Sequence, residues 1–545
     1  MDDYHLKSFR TSSKPDGEDV HRSYVDEDDN LVRMGKKPVL KRNFGFMAIL
    51  GFSCTILVTW EGSLVLFLEG FSNGGPAGVV YSYIYVWIGT FATFATLSEL
   101  ASMAPTSGGQ YHWTSMLAPR SSYKFYSFLA GWLTFLGWQA NVASGSYLSG
   151  TMVQGLATLC NPNYVPTPWQ STLTIWAVIA FAVFINVAAS GLLPKFEGLI
   201  LILHVLGFFA ILIPLVHLSD HNPAEFVFTT FLNEGKFQTQ GLSFMVGMVG
   251  NMFAFMGADA AFHMAEEIRN ASTLVPRSIM ISIALNGSLG FAMIMAALFS
   301  LGDLDAVLAT PTGYPFMEIF HQATKSIAGS AVMASIVVIL AISATVGGVA
   351  TCSRMIFAFA RDQGMPGWSI LKRACALIPN TRVDSRTSIP VFAVMLATGI
   401  GCLLALVVIG SSTVFNDVVS LSVSSLFSSY LLCASLLLWR RCTGGIKNIS
   451  EISVSDTVLN VPGAPLVWGP FRIPGIWGII SNVVAIIYLT IGVFFSLWPA
   501  SLEVTASTMN YSVVGTGGVI ILSILYYILY AKGRYNGPIM EVVRD

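Results

Sequence analysis

Twelve stretches of this chain are apolar for long enough to be read as helices that cross a membrane. They are residues 46–71, 77–103, 126–159, 170–190, 196–217, 242–265, 278–302, 328–360, 389–409, 413–439, 475–498 and 513–531. A helix needs about 20 predominantly apolar residues to traverse the hydrocarbon core. The third and eighth stretches exceed what a perpendicular crossing requires, and they are expected to tilt. Polar segments separate the stretches and close both ends. The pattern predicts an all-α polytopic membrane protein, with one twelve-helix domain over 45–531. A disordered N-terminal tail over 1–44 and a C-terminal tail over 532–545 flank it.

The charges sharpen this picture. Only 11% of residues are charged and 54% are hydrophobic, whereas a soluble domain carries roughly 25% charged residues. With alternate loops assigned to alternate sides, 26 of the 29 Lys and Arg residues fall on the side of the N-terminus. Lys236 and Lys325 fall on the other side, and Arg354 lies inside the eighth stretch. Basic residues stay cytoplasmic, so an even number of spans with both termini in the cytosol is expected. The first 42 residues contain no early apolar run, and no signal peptide is read there. The seven cysteines are scattered without a CxxC pair, which argues against a disulfide framework or a zinc site.

Two stretches carry chemistry that a plain bundle does not need. The first contains Trp60-Glu61-Gly62-Ser63 near its middle. The sixth contains Phe255-Met256-Gly257-Ala258-Asp259. A carboxylate at that depth costs a few kcal/mol and is a functional candidate by default. Glycine weakens a helix, and paired interruptions in corresponding spans point to a transporter's binding site. Each glycine has a plainer reading as a close helix contact, and each acid as a hydrogen-bond partner for exposed backbone.

Three further motifs stand in order along the chain. Glu99-Leu-Ala-Ser-Met-Ala-Pro-Thr-Ser-Gly-Gly-Gln-Tyr111 closes the second stretch. Asp259-Ala-Ala-Phe-His-Met-Ala-Glu-Glu267 ends the sixth and leads to Val275-Pro-Arg277. Ser353-Arg-Met-Ile-Phe-Ala-Phe-Ala-Arg-Asp362, with Gly364-Met-Pro366, leaves the eighth. Together with Asn73-Gly-Gly-Pro-Ala-Gly78, these resemble the amino acid–polyamine–organocation superfamily, and in it the fungal amino acid, choline and GABA permease branch. The resemblance implies a LeuT-type fold of two inverted five-helix repeats, about 45–217 and 242–439, with extra helices over 475–531. It implies a secondary transporter, not an enzyme, working by alternating access with substrate at the breaks of spans 1 and 6. It also makes residues 303–327 a lid over the outer vestibule.

Relatives that carry α-amino acids have a glycine-rich first break, whereas here Trp60 and Glu61 precede Gly62. An anion at that point attracts an ammonium, and aromatic rings add cation–π attraction. The expected substrate is therefore a small amine or amino acid: choline, GABA, a polyamine or an amino acid. The candidate contacts are Trp60, Glu61, Gly62, Ser63, Tyr147, Phe253, Phe255, Gly257, Ala258 and Asp259. His204, within the fifth stretch, is the candidate for proton coupling, because histidine changes charge near neutral pH. No cofactor is expected beyond a coupling ion, H⁺; sodium, held by Ser353 and neighbouring hydroxyls, is the alternative. Glu266, Glu267 and Arg361 are read as a cytoplasmic gate, and Asn510 in Asn510-Tyr-Ser512 as a glycan acceptor. The plasma membrane is the expected location, with the vacuolar membrane second. A sensor or channel of the same fold is the runner-up to a transporter.

Overall fold

The computed structural model describes residues 44–373, 389–409, 414–451, 458–506 and 508–539, with Leu31, Met34 to Lys36, Leu40 and Arg42 ahead of them. Most of the tail expected over 1–44, the end of the C-terminal tail and Cys375 lie outside these residues.

Among the described residues regular structure is helical, apart from isolated bridges between Phe44 and Ile268 and between Lys447 and Val467. In chain order the α-helices are α1 Phe46–Leu57, α2 Thr59–Val65, α3 Phe67–Met103, α4 Gln110–Leu117, α5 Tyr123–Cys160 and α6 Pro168–Val183. Next come α7 Leu193–Leu218, α8 Ala224–Thr229, α9 Gln240–Ala254, α10 Ala260–His263, α11 Ala271–Phe299, α12 Leu304–Leu308 and α13 Pro315–Thr324. The chain closes with α14 Ile327–Arg361, α15 Trp368–Leu371, α16 Val391–Val407, α17 Val414–Cys442, α18 Gly475–Ser496 and α19 Ser512–Leu529.

Among the described residues nine helical segments are long and apolar enough to cross a membrane. The other three predicted stretches are helical but fall short for identifiable reasons. Ser, Gly, Gln and Asn residues interrupt the apolar run of α5. The run from α9 to Glu267 is broken near its centre. Helix α16 is apolar but only 17 residues long. The predicted gap between the first two stretches shrinks to a kink inside α3 at Gly75, whose φ of 66° and ψ of −173° turn the chain ahead of Pro76. A side chain there would strike the backbone of Thr230 and Leu232.

Helix α5 lies at the centre, packed against α14 and α17, while α3 packs against α9, α11 and α18. Helix α1 sits between α7, α11 and α14. Small residues set these crossings: a Cβ on Gly347 would come within 2.6 Å of Ile56, and one on Gly131 within 2.5 Å of Phe359. Outward faces are apolar, with Leu199, Ile202, Leu206 and Ile213 of α7 and Ile521, Leu522 and Ile528 of α19 all exposed. Such continuous apolar faces are stable against lipid and costly against water.

Candidate functional site

The two interruptions lie side by side. The first is Val58, with φ 36° and ψ 41°, between α1 and α2. A β-branched residue in the left-handed region is strained, which marks a position held by its surroundings. A helix that starts at Thr59 leaves its first N–H groups without helical partners. The second is the turn from Phe255 to Asp259 between α9 and α10, where Gly257 has φ 106°. A Cβ on Gly257 would meet Ile56 Cγ2 at 3.1 Å, so this glycine serves both an unusual backbone and a close approach to α1.

The expected break at Glu61-Gly62 is thereby shifted. Both residues are helical in α2, and Gly62 instead lets α2 touch α9, since its Cβ would lie 3.2 Å from that of Ala254. The turn is forced one residue beyond α1, where Val58 accommodates it.

Between the breaks lies a cavity of about 60 Å³. Its polar side chains are Glu61, Asn141 and Thr345, its aromatic wall is Phe253, and Ile56, Val58, Leu148, Met152 and Met256 supply apolar surface. It holds about two waters, so a choline-sized solute needs the walls to move apart. Glu61 is 1% exposed. Its Oε1 lies 2.6 Å from His204 Nδ1, and its Oε2 has no partner among the described residues. The imidazole is fully buried, with Trp60 packed on it at 5.7 Å and its Nε2 unpartnered.

Of the residues proposed to contact substrate, the structure brings Glu61, Gly62 and Phe253 to this cavity. The others sit elsewhere. Trp60 backs the His204–Glu61 pair, and Ser63 donates to Thr59 O at 2.7 Å. Phe255 packs on Tyr83 at 5.0 Å, and Tyr147 lines a separate hollow between α5, α6 and α16. Gly257 and Ala258 are buried in the turn itself. Asp259 does not share the cavity with Glu61: its Oδ2 accepts from Trp138 Nε1 and from Gln110 Nε2, both at 3.0 Å, with His263 Nε2 3.6 Å away. That arrangement ties the turn to α4 and α5, the structural role that the plainer reading offered. The Asn510 side chain is also committed. It is buried and gives its N–H groups to Ser496 O and Trp498 O, so as folded its nitrogen is not presented to carry a glycan.

Two groups were missed. Glu197, one turn into α7, is fully buried, and Thr55 Oγ1 donates to its Oε2 at 2.6 Å. Its Oε1 is unpartnered and it makes no ion pair among the described residues. In the sequence it follows Lys195 at a helix start, where an acid reads as solvated. Asn141, an amide within an apolar run, faces the cavity, whereas Gln139 and Asn186 bond across helices to Ala397 O and Val346 O, both at 2.9 Å. Asn286 instead bonds within its own helix, to Ser282 O.

The face that holds the chain ends is sealed by ions. Arg361 reaches Glu266 with Nη2 at 2.8 Å and Nη1 at 3.1 Å, and Arg354 Nε reaches Glu267 at 2.9 Å. Burial pushes the Glu266 carboxyl up, but the Arg361 guanidinium overrides it with help from Lys36 and the Ser107 N–H, and holds it at about 2. Asp362 accepts from Tyr111 OH at 2.7 Å, from Lys36 Nζ at 3.2 Å and from the Ile539 N–H at 2.9 Å. The three sequence motifs therefore meet at one place: Ser107, Gln110 and Tyr111 of the first bond to Glu266 and Asp259 of the second and to Asp362 of the third.

The amino acid permease family model matches residues 44–519. The Saccharomyces cerevisiae choline transporter is 29% identical over 91% of this chain and 83% of its own length. A Macrophomina phaseolina protein named for amino acid/polyamine transport is 28% identical over 85% of this chain and 96% of its own. The Arabidopsis thaliana amino-acid permease BAT1 is 27% identical over 94% and 96%. The family match runs through both breaks and the cavity. The chain is a multi-pass membrane protein that belongs to the amino acid permease family.

Proposed function

We propose that this permease is a secondary active transporter of a small solute bearing an amine, and that Glu61 receives the ammonium. The observation that carries the reading is the buried Glu61–His204 pair on the cavity wall, with one carboxylate oxygen unpartnered among the described residues and Phe253 lining the same cavity. The names of the relatives support choline, polyamines and amino acids as the classes to test, with GABA alongside them. The fold is proposed as twelve spans in a 5+5 inverted repeat with two added helices. The matching breaks in the first and sixth spans support it. Basic residues on the chain-end face support cytosolic termini, with residence in the plasma membrane.

The coupling ion is proposed to be H⁺. A proton on His204 changes the net charge of the pair by one, and so changes its attraction for an ammonium. In alternating access the Glu266–Arg361 and Glu267–Arg354 pairs separate to open the cytosolic side, and reform when the outer side opens.

Proteoliposome uptake tests the reading. Labelled choline, GABA, polyamines and amino acids are offered with and without an imposed pH gradient. Accumulation above equilibrium for one class, driven by the gradient and lost in Glu61→Gln, supports it. Equilibration without accumulation would indicate a channel, and binding without flux a sensor.

A further inference from the structure

We propose that a basic hollow on the chain-end face binds the phosphate-bearing headgroup of an anionic membrane lipid. The hollow, of about 370 Å³, lies where the end of α4, the start of α5, the end of α17 and the segments 445–447 and 462–466 meet. That is room for roughly a dozen waters, large for a single ion and adequate for a phosphorylated headgroup. Arg120, Arg440 and Lys447 line it, and no described lining residue is acidic.

None of these three cations has a carboxylate partner among the described residues. Arg354, Arg361 and Arg441 all pair with a carboxylate. Arg440 instead donates through Nε to Leu117 O at 2.6 Å and through Nη2 to Ala118 O at 3.2 Å. Arg120 donates through Nη2 to Gly463 O at 3.1 Å. Lys447 Nζ has no partner among the described residues. Backbone carbonyls thus fix the two guanidiniums in place while leaving their charge uncancelled and N–H groups unused. A phosphate oxyanion is the ligand that such planar donors match.

Depth favours a lipid over a free anion. Trp439 is 41% exposed beside the hollow, and the Arg440 guanidinium lies 4.5 Å over its ring. An exposed tryptophan next to arginine at a helix end belongs at headgroup level. Basic pockets between spans on the cytosolic side suit anionic headgroups. A lipid source for the phosphate requires the orientation proposed above.

The test uses the full-length protein in detergent, where orientation plays no part. Binding of short-chain phosphatidylinositol phosphate is compared with phosphatidylcholine, inositol hexakisphosphate and inorganic phosphate. The comparison is repeated on Arg120→Gln/Lys447→Gln, two exposed positions whose loss leaves the helix-capping Arg440 intact, and on Lys325→Gln, a basic residue of the other face. The expected result is phosphoinositide binding at least tenfold tighter than phosphatidylcholine. It should weaken at least tenfold in the double variant and stay unchanged in Lys325→Gln. Equal binding by wild type and double variant overturns the site, and so does equal binding of phosphatidylcholine. Binding of the soluble phosphates as tight as that of the lipid overturns the lipid source. Labelling of the Lys447→Cys variant in sealed vesicles reads the orientation separately, so an error there is distinguishable from failure of the site.

Discussion

His204 Nδ1 and Glu61 Oε1 lie 2.6 Å apart, on helices α7 and α2, with both side chains shut away from solvent. This contact joins a broken helix to an unbroken one across the wall of the cavity. A charge-assisted hydrogen bond of this kind contributes ~1.5–3 kcal/mol. Glu61→Gln keeps the shape and removes the charge. Uptake of an amine-bearing substrate should therefore fall about 10- to 100-fold, read as initial rates in proteoliposomes at fixed substrate concentration.

His204→Gln separates titration from geometry. Glutamine can still donate to Glu61 but cannot take up a proton. The expected outcome is uptake that persists while its response to an imposed pH gradient is lost. An unchanged response would remove His204 from the coupling step.

Glu197 gives an independent test. It is buried against Thr55 of α1, has a bare Oε1, and does not line the cavity that holds Glu61. Thr55 sits three residues before the break, so movement of α1 would pull the hydroxyl away from the acid. A proton on Glu197 would not compete with an ammonium for Glu61, which makes this acid the second candidate for the coupling proton after His204. Glu197→Gln, which mimics the protonated acid, is expected to leave substrate binding within about threefold of wild type. Accumulation driven by a pH gradient is abolished if Glu197 carries the coupling proton and retained if His204 carries it. Binding by scintillation proximity and uptake with and without the gradient would be measured on the same preparation.

These residues show how far the sequence could be read. The spans were legible because lipid imposes a length and an apolar surface that composition cannot hide. Glu61 stood out because a carboxylate in the middle of an apolar run has few innocent explanations. Asp259 carried the same signal, yet Trp138 and Gln110, distant in sequence, use it to anchor the turn. Glu197 carried no signal, since its burial depends on how α7 docks against α1. The break lies at Val58, and Gly62 stays helical where α2 touches α9. Tertiary contacts made each of these decisions, and the chain pattern does not encode them locally.

The Glu266–Arg361 pair makes a prediction about pH. The Glu266 carboxyl is held at about 2, below its ordinary value of 4.5. A depressed carboxylate contributes stability that is fully present above its unfolded value and is lost as pH falls through the folded one. The pair therefore holds from pH 5 to 8, and pH dependence of transport in that range belongs to other groups. Glu266→Gln leaves Arg361 buried without its hydrogen-bonded carboxylate, a loss of about 3–5 kcal/mol. It should lower the melting temperature in detergent and raise cysteine accessibility on the chain-end face. The exchange Glu266→Arg with Arg361→Glu should recover part of both.

Gly257 allows the break itself to be tested. Its φ of 106° is costly for any other residue, about 1–3 kcal/mol, and a methyl group there would also press on Ile56 at 3.1 Å. Gly257→Ala therefore meets two obstacles that a second substitution can separate. Ile56→Ala removes the closest steric contact and leaves the tight approach to Ile56 O at 3.3 Å together with the backbone cost. The double variant should regain part of the melting temperature lost in Gly257→Ala, while uptake stays low because the turn still resists its native path. Gly62→Ala is the contrast. Its backbone is helical, and its Cβ would sit 3.2 Å from that of Ala254. It should separate α2 from α9 by a few tenths of an ångström and cost less. Full uptake in Gly257→Ala would mean that the interruption of the sixth span is dispensable for transport.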